Sequence, residues 1–261
     1  MGEQYLRLAV AGFRRHSAYA QAAAAGVVTN VVFALIRAAI LLAVVAEDRP
    51  VAGYDPAAVV AYVWLSQALY AVVLVWGDSE LAHRVRDGSI VIDVARPWDL
   101  QLSKLALDLG RAAFAVPIRL VPTVVVGAWL FMFRWPSRVE TYALFAASVL
   151  LAVVVSFAAR FIVNLAAFWM METRGLATLY GVVAGVFSGV TLPVAFFPDW
   201  ARFAMWCTPF PAMLQAPIDV FTERGHTGWI LAQQVVFAVV LLWSGRVVWR
   251  RAQRRLVVQG G

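Results

Sequence analysis

Residues 141–170 read TYALFAASVLLAVVVSFAARFIVNLAAFWM, thirty positions that carry a single charge, Arg160. A helix needs about twenty apolar residues to cross the hydrocarbon of a bilayer. This run is over-long, so it is expected to tilt or to emerge into water. Five more apolar runs flank it, roughly Gly26–Ala46, Ala58–Trp76, Ala113–Phe133, Leu176–Phe197 and Trp229–Trp249. Open sheet is excluded for such runs, because backbone groups in lipid must be satisfied within each segment. Composition agrees: of 261 residues, 62% are hydrophobic and only 14% charged, far from the balance of a soluble globular domain. The expectation is an all-α, polytopic membrane protein, a single domain over residues 1–261 with six transmembrane helices.

Arginine placement sets the orientation. With both termini in the cytoplasm, the inner side holds Arg7, Arg14, Arg15, Arg84, Arg86, Arg96, Lys104, Arg111, Arg174, Arg246, Arg250, Arg251, Arg254 and Arg255. The outer side holds only Arg49, Arg134, Arg138, Arg202 and Arg224. That excess selects an N-in, C-in arrangement in the cytoplasmic membrane. The net charge of +7 is then a topology signal and an affinity for anionic lipid headgroups, with no nucleic-acid partner implied.

Three segments lie outside the spans. Residues 1–25 place Leu6, Val10 and Phe13 on one face and Arg7 and Arg14 on another, the pattern of a helix lying in the headgroup plane. The connector 77–111 contains Arg84–Arg111, RVRDGSIVIDVARPWDLQLSKLALDLGR. Trp98, Leu102, Leu105 and Leu109 form an apolar stripe on a helix, opposite Asp99, Gln101, Lys104 and Asp108. A stripe of this kind should dock on the bilayer surface or on a soluble partner. Residues 193–228 are dense in proline (Pro193, Pro198, Pro209, Pro211, Pro217) among aromatics. Short helical pieces dipping into the outer leaflet are expected there, with Phe196, Phe197, Trp200 and Trp206 at the interface as an aromatic anchor or an outward gate.

Signs of chemistry are few. The single lysine, Lys104, has no glycine before it, so the chain cannot bind ATP through a phosphate-binding loop of the Gly-rich Lys-Ser/Thr type. His16, His83 and His226 are isolated, without metal-ligand spacing, and the one cysteine, Cys207, reads as a packed or interfacial thiol. No catalytic residues, metal site or cofactor are expected on the chain. The cores of the spans contain no Asp or Glu, which argues against an ion-coupled carrier with an acidic relay. Arg119 and Arg160 lie towards the cytoplasmic ends of their spans, where they can snorkel. Arg37 lies near the middle of the first span. It must face carbonyls, a water-filled cavity, another subunit or an anionic ligand, which leaves an interface role and a place on the substrate path both open.

Two motifs carry a family resemblance. Asp87-Gly88-Ser89-Ile90 followed by Arg96-Pro97 resembles the acidic-Gly-x-Ile/Leu … Arg-Pro pattern of ABC-2-type transporter permeases. Phe197-Pro198-x-Trp200 … Pro209-Phe210 … Pro217 resembles the outer re-entrant segment of the same family. With six spans and an interfacial N-terminal helix, the chain looks most similar to a small bacterial branch, which implies residence in a bacterial cytoplasmic membrane. The resemblance implies a permease subunit that is not itself an enzyme. It would work with a separate nucleotide-binding ATPase, present in two copies and carrying Mg-ATP, and would export its substrate. A second permease subunit is implied too, either a copy of this chain or a related six-span chain. The apolar, aromatic spans fit a hydrophobic or amphipathic small molecule such as a drug, natural product or lipid-like compound. The coupling contact is expected at Gly88, Ile90, Asp93, Arg96, Pro97, Trp98, Asp99 and Leu102. Gly88 would allow a tight turn, and Pro97 would open the following helix. Trp98 and the leucines would supply an apolar face, and Asp93, Arg96 and Asp99 would set register with the ATPase. Arg37, Phe196, Phe197 and Trp200 are the candidates for the substrate path or outer gate. An ion-coupled secondary transporter and a non-transporting scaffold are the alternative readings.

Overall fold

Backbone groups that cannot reach water bond within their own segment, and the chain accordingly folds into helices. The computed structural model describes residues 2–45, 50–170 and 172–255. Ala46, the expected end of the first span, and Arg49, counted on the outer side, lie outside the described residues. Twelve α-helices follow in order: α1 (Gly2–Ser17), α2 (Ala20–Val44), α3 (Pro56–Val73), α4 (Glu80–Arg86), α5 (Ile90–Val94), α6 (Leu100–Ala115), α7 (Val121–Leu130), α8 (Val139–Leu165), α9 (Arg174–Phe187), α10 (Asp199–Trp206), α11 (Gln215–Phe221) and α12 (Thr227–Gln253). Among the described residues the only β-pairing is one bridge, Val51 to Tyr54.

Among the described residues, five helices are long and apolar enough to cross a membrane: Ala23–Val44, Pro56–Val73, Leu100–Leu130, Val139–Phe168 and Thr227–Gln253. The run expected to form a sixth, Leu176–Phe197, is helical only over α9, 14 residues. At a rise of about 1.5 Å per residue that is about 21 Å, short of a hydrocarbon core of about 30 Å. The cause lies in Gly189 and Pro193. Gly189 takes φ +84°, the left-handed conformation open to glycine, and Pro193 precedes a single 3-10 turn over Val194–Phe196. Apolar composition continues through this stretch, but the helix does not.

The third span also departs from expectation. Its helix begins at Leu100 rather than Ala113, because Asp99 caps it: the carboxylate accepts from the Leu102 backbone N–H at 2.8 Å. Pro97 therefore precedes the cap and does not occupy the first turn. α6 runs into α7 through a π-helical turn at Val116–Leu120. Pro117 and Pro122 withdraw two donors from the ladder there, which accounts for the local widening. The joined helix has 31 residues, about 46 Å, so about three of its turns extend past a hydrocarbon core.

α3 is the centre of the bundle. Its residues are buried on every side, including Tyr62, Trp64, Leu65 and Leu69, as expected of a helix apolar all round. Gly127 of α7 lies against the Trp64 ring so closely that a Cβ there would come within 2.4 Å of it. α8 and α12 lie side by side and parallel. At one end the Ser148 hydroxyl donates to Gln234 Oε1 at 2.8 Å, and at the other Phe168 stacks edge-on against Trp249 at 5.9 Å. The chain between them must therefore return along the bundle, and it does so through α9, α10 and α11. The N-terminal helix packs on α6 by a crossing of two glycines. A Cβ on Gly110 would sit 1.9 Å from the Ala9 carbonyl oxygen, and one on Gly12 would sit 2.3 Å from that of Leu107. Phe13 and Phe114 close the crossing edge to face at 5.5 Å.

Candidate functional site

Charged side chains gather at one end of the bundle, where α4, α5 and the start of α6 meet the ends of α1, α8 and α12. Gly88, at φ +78°, makes the turn between α4 and α5, as its position in the sequence predicts. From there the segment diverges from expectation. Ile90 is buried with Leu81, Leu100, Phe157 and Trp249. Asp93 is buried too, with its carboxylate 3.1 Å from Arg84 Nε, in contact but not aligned as a hydrogen bond, and 3.5 Å from Lys104 Nζ. Ile90 and Asp93 thus hold the segment onto the bundle and lie beneath its surface. Asp99, half-buried, caps α6 and lies 3.5 Å from Arg246. Arg96 and Pro97 are exposed, Trp98 is half-buried under the Arg96 guanidinium at 5.4 Å, and Leu102 is exposed. The outward apolar surface consists of Val91 (45% exposed) and Ile92 (58%), with Leu102 beside α5 in sequence.

The stripe expected on α6 is turned around. Gln101 and Asp108, assigned to the solvent side, are buried, whereas Leu102 is exposed and Leu105 and Leu109 are half-buried. Gln101 donates to the Leu242 carbonyl of α12 at 3.0 Å. Asp108 joins an ion network that also corrects the expectation for Arg160. Only 2% exposed, Arg160 does not snorkel. It donates to Asp108 and to Asp78, each at 2.8 Å. Arg111 donates to Asp108 at 2.6 Å and to the carbonyls of Ala71 and Val72, at the end of α3, at 2.9 Å. Asn164 ties in the following loop, donating to the Asp78 carbonyl and accepting from the Ala82 N–H. A charge in the bilayer is costly unless paired, and one span's arginine is here compensated by acids at the ends of two others. The sequence signal for this was available: Arg160 required a carboxylate, and Asp78 and Asp108 flank the neighbouring spans at the same end.

Around this network Glu80 receives Arg15 of α1 at 3.0 Å and Lys104 of α6 at 3.7 Å. Partial burial pushes its carboxyl up, but Lys104 and Arg15 outweigh that and hold it below its ordinary range. One carboxylate therefore links α1, α4 and α6.

Arg37 faces one carbonyl and a hydroxyl, the carbonyl being one of the environments its position demanded. It donates to the Ser66 hydroxyl of α3 at 3.1 Å and to the Thr191 carbonyl after α9 at 2.9 Å. It borders a chamber of about 530 Å³ between these elements. Phe196 is half-buried and meets Tyr54 edge to face at 5.5 Å, Phe197 is half-buried, and Trp200 is 76% exposed. None of these three lines the Arg37 chamber. The four candidates for the path therefore fall in two places, Arg37 in the chamber and the aromatics in and just before α10.

The described residues form a helical bundle with one charged end and an arginine-bearing chamber. Residues 31–260 match the family model described as ABC-2 family transporter protein. The chain belongs to that family. Curated proteins yield no match to it. ABC-2 membrane proteins are transport components that are not themselves catalytic, and they usually work with an ATP-binding subunit. The ABC-2 chain is multi-pass in character, and its ion network joins the spans Leu100–Leu130 and Val139–Phe168, through Asp108 and Arg160, to Asp78 beyond the end of α3.

Proposed function

We propose that this chain is the permease subunit of an ATP-driven exporter, moving a hydrophobic or amphipathic small molecule across a bacterial cytoplasmic membrane. A separate ATPase, in two copies and loaded with Mg-ATP, supplies the work. The observation that carries this reading is the tip of α5: Val91 and Ile92 stand exposed at the charged end while Ile90 and Asp93 anchor the same short helix inward. A rigidly propped apolar tip with Arg96 and Pro97 beside it suits a protein surface better than open water. Movement of α5 would pass through the Asp93–Lys104–Glu80 contacts to α6 and α1, and through Asp108 and Arg160 to α8.

Both termini on the cytoplasmic side fit the parallel pairing of α8 with α12, since α9 to α11 must then carry the chain back across. This return acts as the sixth crossing, made of short pieces that form the outer re-entrant segment. The outward face of α2, with Val28, Val32 and Ile36 exposed, supports a second permease subunit, either a copy of this chain or a related one.

Purification from native membranes in mild detergent tests the reading. An ATPase carrying a phosphate-binding loop should accompany the wild type and be lost from a Val91→Asp/Ile92→Asp variant that still folds. A chain that emerges without any ATPase would contradict it, and transport driven by a proton or sodium gradient would favour the secondary carrier instead.

A further inference from the structure

We propose that the transported molecule is anionic as well as apolar, and that Arg37 holds its negative group in the chamber between α2, α3 and the loop after α9. This inference rests on the exporter reading above and names the substrate class of its path. The chamber, about 530 Å³, has apolar walls from Phe33, Ile40, Trp76 and Leu192, with Arg37 as its only charge. A guanidinium has five N–H donors. Arg37 spends one on Ser66 and one on the Thr191 carbonyl and lies beside the Tyr62 hydroxyl, and among the described residues no carboxylate lies within ion-pair distance of it. The contrast with Arg160 is direct, because that arginine meets two acids. An arginine kept in an apolar chamber without a counterion offers a charge-assisted site to an anion whose tail fills the rest.

A second cavity points the same way. About 560 Å³ in volume, it lies at the charged end and shares Trp76 with the chamber as a common wall. His83, Arg86, Arg160 and Arg174 line it. Its two acids are engaged, Asp78 by Arg160 and Glu172 by Arg86 at 3.5 Å. The Trp76 ring meets Tyr70 at a tilt, 4.9 Å between centroids, and Gly181 and Gly185 of α9 lie near it, where an added Cβ would be 3.9 and 3.7 Å away. No side chain at these two positions covers the indole, which stands as the wall between the two cavities. The order is a basic vestibule, an indole partition and then a chamber with one arginine, which favours an anion at each stage and repels a cation.

The test uses the full chain in lipid nanodiscs, without ATPase or ATP. The probes are a sixteen-carbon chain with a mid-chain diazirine, ending in a carboxylate, an alcohol or a primary amine. The carboxylate probe should label peptides spanning residues 33–41 and 190–192, about tenfold more efficiently than the amine. Arg37→Gln should reduce its labelling to the alcohol's level, and Arg37→Lys, which keeps the charge, should retain most of it. Should Arg37→Gln prove unstable, Ile40→Trp fills the chamber with Arg37 intact and should abolish labelling there by all three probes. Equal labelling by the three headgroups would overturn the proposal, as would carboxylate labelling that survives both Arg37→Gln and Ile40→Trp. Loss of the ATPase partnership would refute the exporter reading while leaving this readout unchanged, so the two failures are distinguishable.

Discussion

Removing Arg160 should destabilise the whole base of the bundle. Arg160→Met keeps most of the side chain's bulk and deletes the charge. Asp108, itself buried, would keep Arg111 at 2.6 Å, whereas Asp78, 39% exposed, would turn to water. Breaking a buried pair by removing one partner costs about 3–5 kcal/mol. Because Arg111 still neutralises Asp108, the low end applies, about 3 kcal/mol. Asp108→Asn should cost a similar amount, since it leaves Arg160 with only the half-exposed and therefore screened Asp78. Arg160→Met combined with Asp108→Asn removes both charges, so the double variant should be less destabilised than the sum of the singles by at least about 1.5 kcal/mol. Unfolding of purified protein in mild detergent, by heat or SDS titration, provides the assay. A loss of about 3 kcal/mol corresponds to a fall in midpoint of about 6–12 °C. Singles within about 0.5 kcal/mol of wild type, or strictly additive losses, would refute the network as the element that ties α6, α8 and the end of α3 together.

Two further outcomes follow from single residues. Gly110→Leu puts a side chain where the Ala9 carbonyl lies 1.9 Å from a Cβ, so α1 should lift off α6. A disulfide between cysteines placed at Phe13 and Phe114 should then form several-fold more slowly than with Gly110 intact. Glu223 accepts from the Ser137 hydroxyl and N–H, the Thr141 hydroxyl and the Arg138 N–H, around the start of α8. The Ser137 and Thr141 hydroxyls lead in holding its carboxyl down at about 2. A depressed folded-state value means that its contribution is complete above the ordinary carboxylate range and is lost as the pH falls towards about 2. Glu223→Gln should therefore lower stability at pH 7 and flatten the acid limb between about pH 4.5 and 2. An unchanged acid limb would contradict the assignment.

The helical membrane character was plain in the apolar runs, and α8 lies where thirty nearly uncharged residues place it. The orientation of α6 was not plain. A periodicity argument sends Gln101 and Asp108 to water because they are polar, yet their partners are Leu242 and Arg160, which lie far along the chain and whose proximity no local pattern encodes. The same blindness made Asp93 look available to a partner when Arg84 and Lys104 already hold it. Arg37 was more legible: a charge in mid-span has few permissible surroundings, and carbonyl contact was among them. The sixth run does not form one long helix, for a different reason. Hydropathy counts apolar residues without regard to backbone, and Gly189 and Pro193 end α9 inside a stretch that remains apolar.

The central claim is that the exposed tip of α5 receives an ATPase. A photo-crosslinking phenylalanine derivative at Ile92, expressed in the native cell and irradiated in intact membranes, tests it most directly, with Trp243, which is 67% exposed on α12, as the lipid-facing control. The account predicts a crosslink from position 92, but not from position 243, to a soluble protein bearing a phosphate-binding loop. Crosslinks from position 92 to lipid alone would make α5 a membrane-surface helix and would contradict the account.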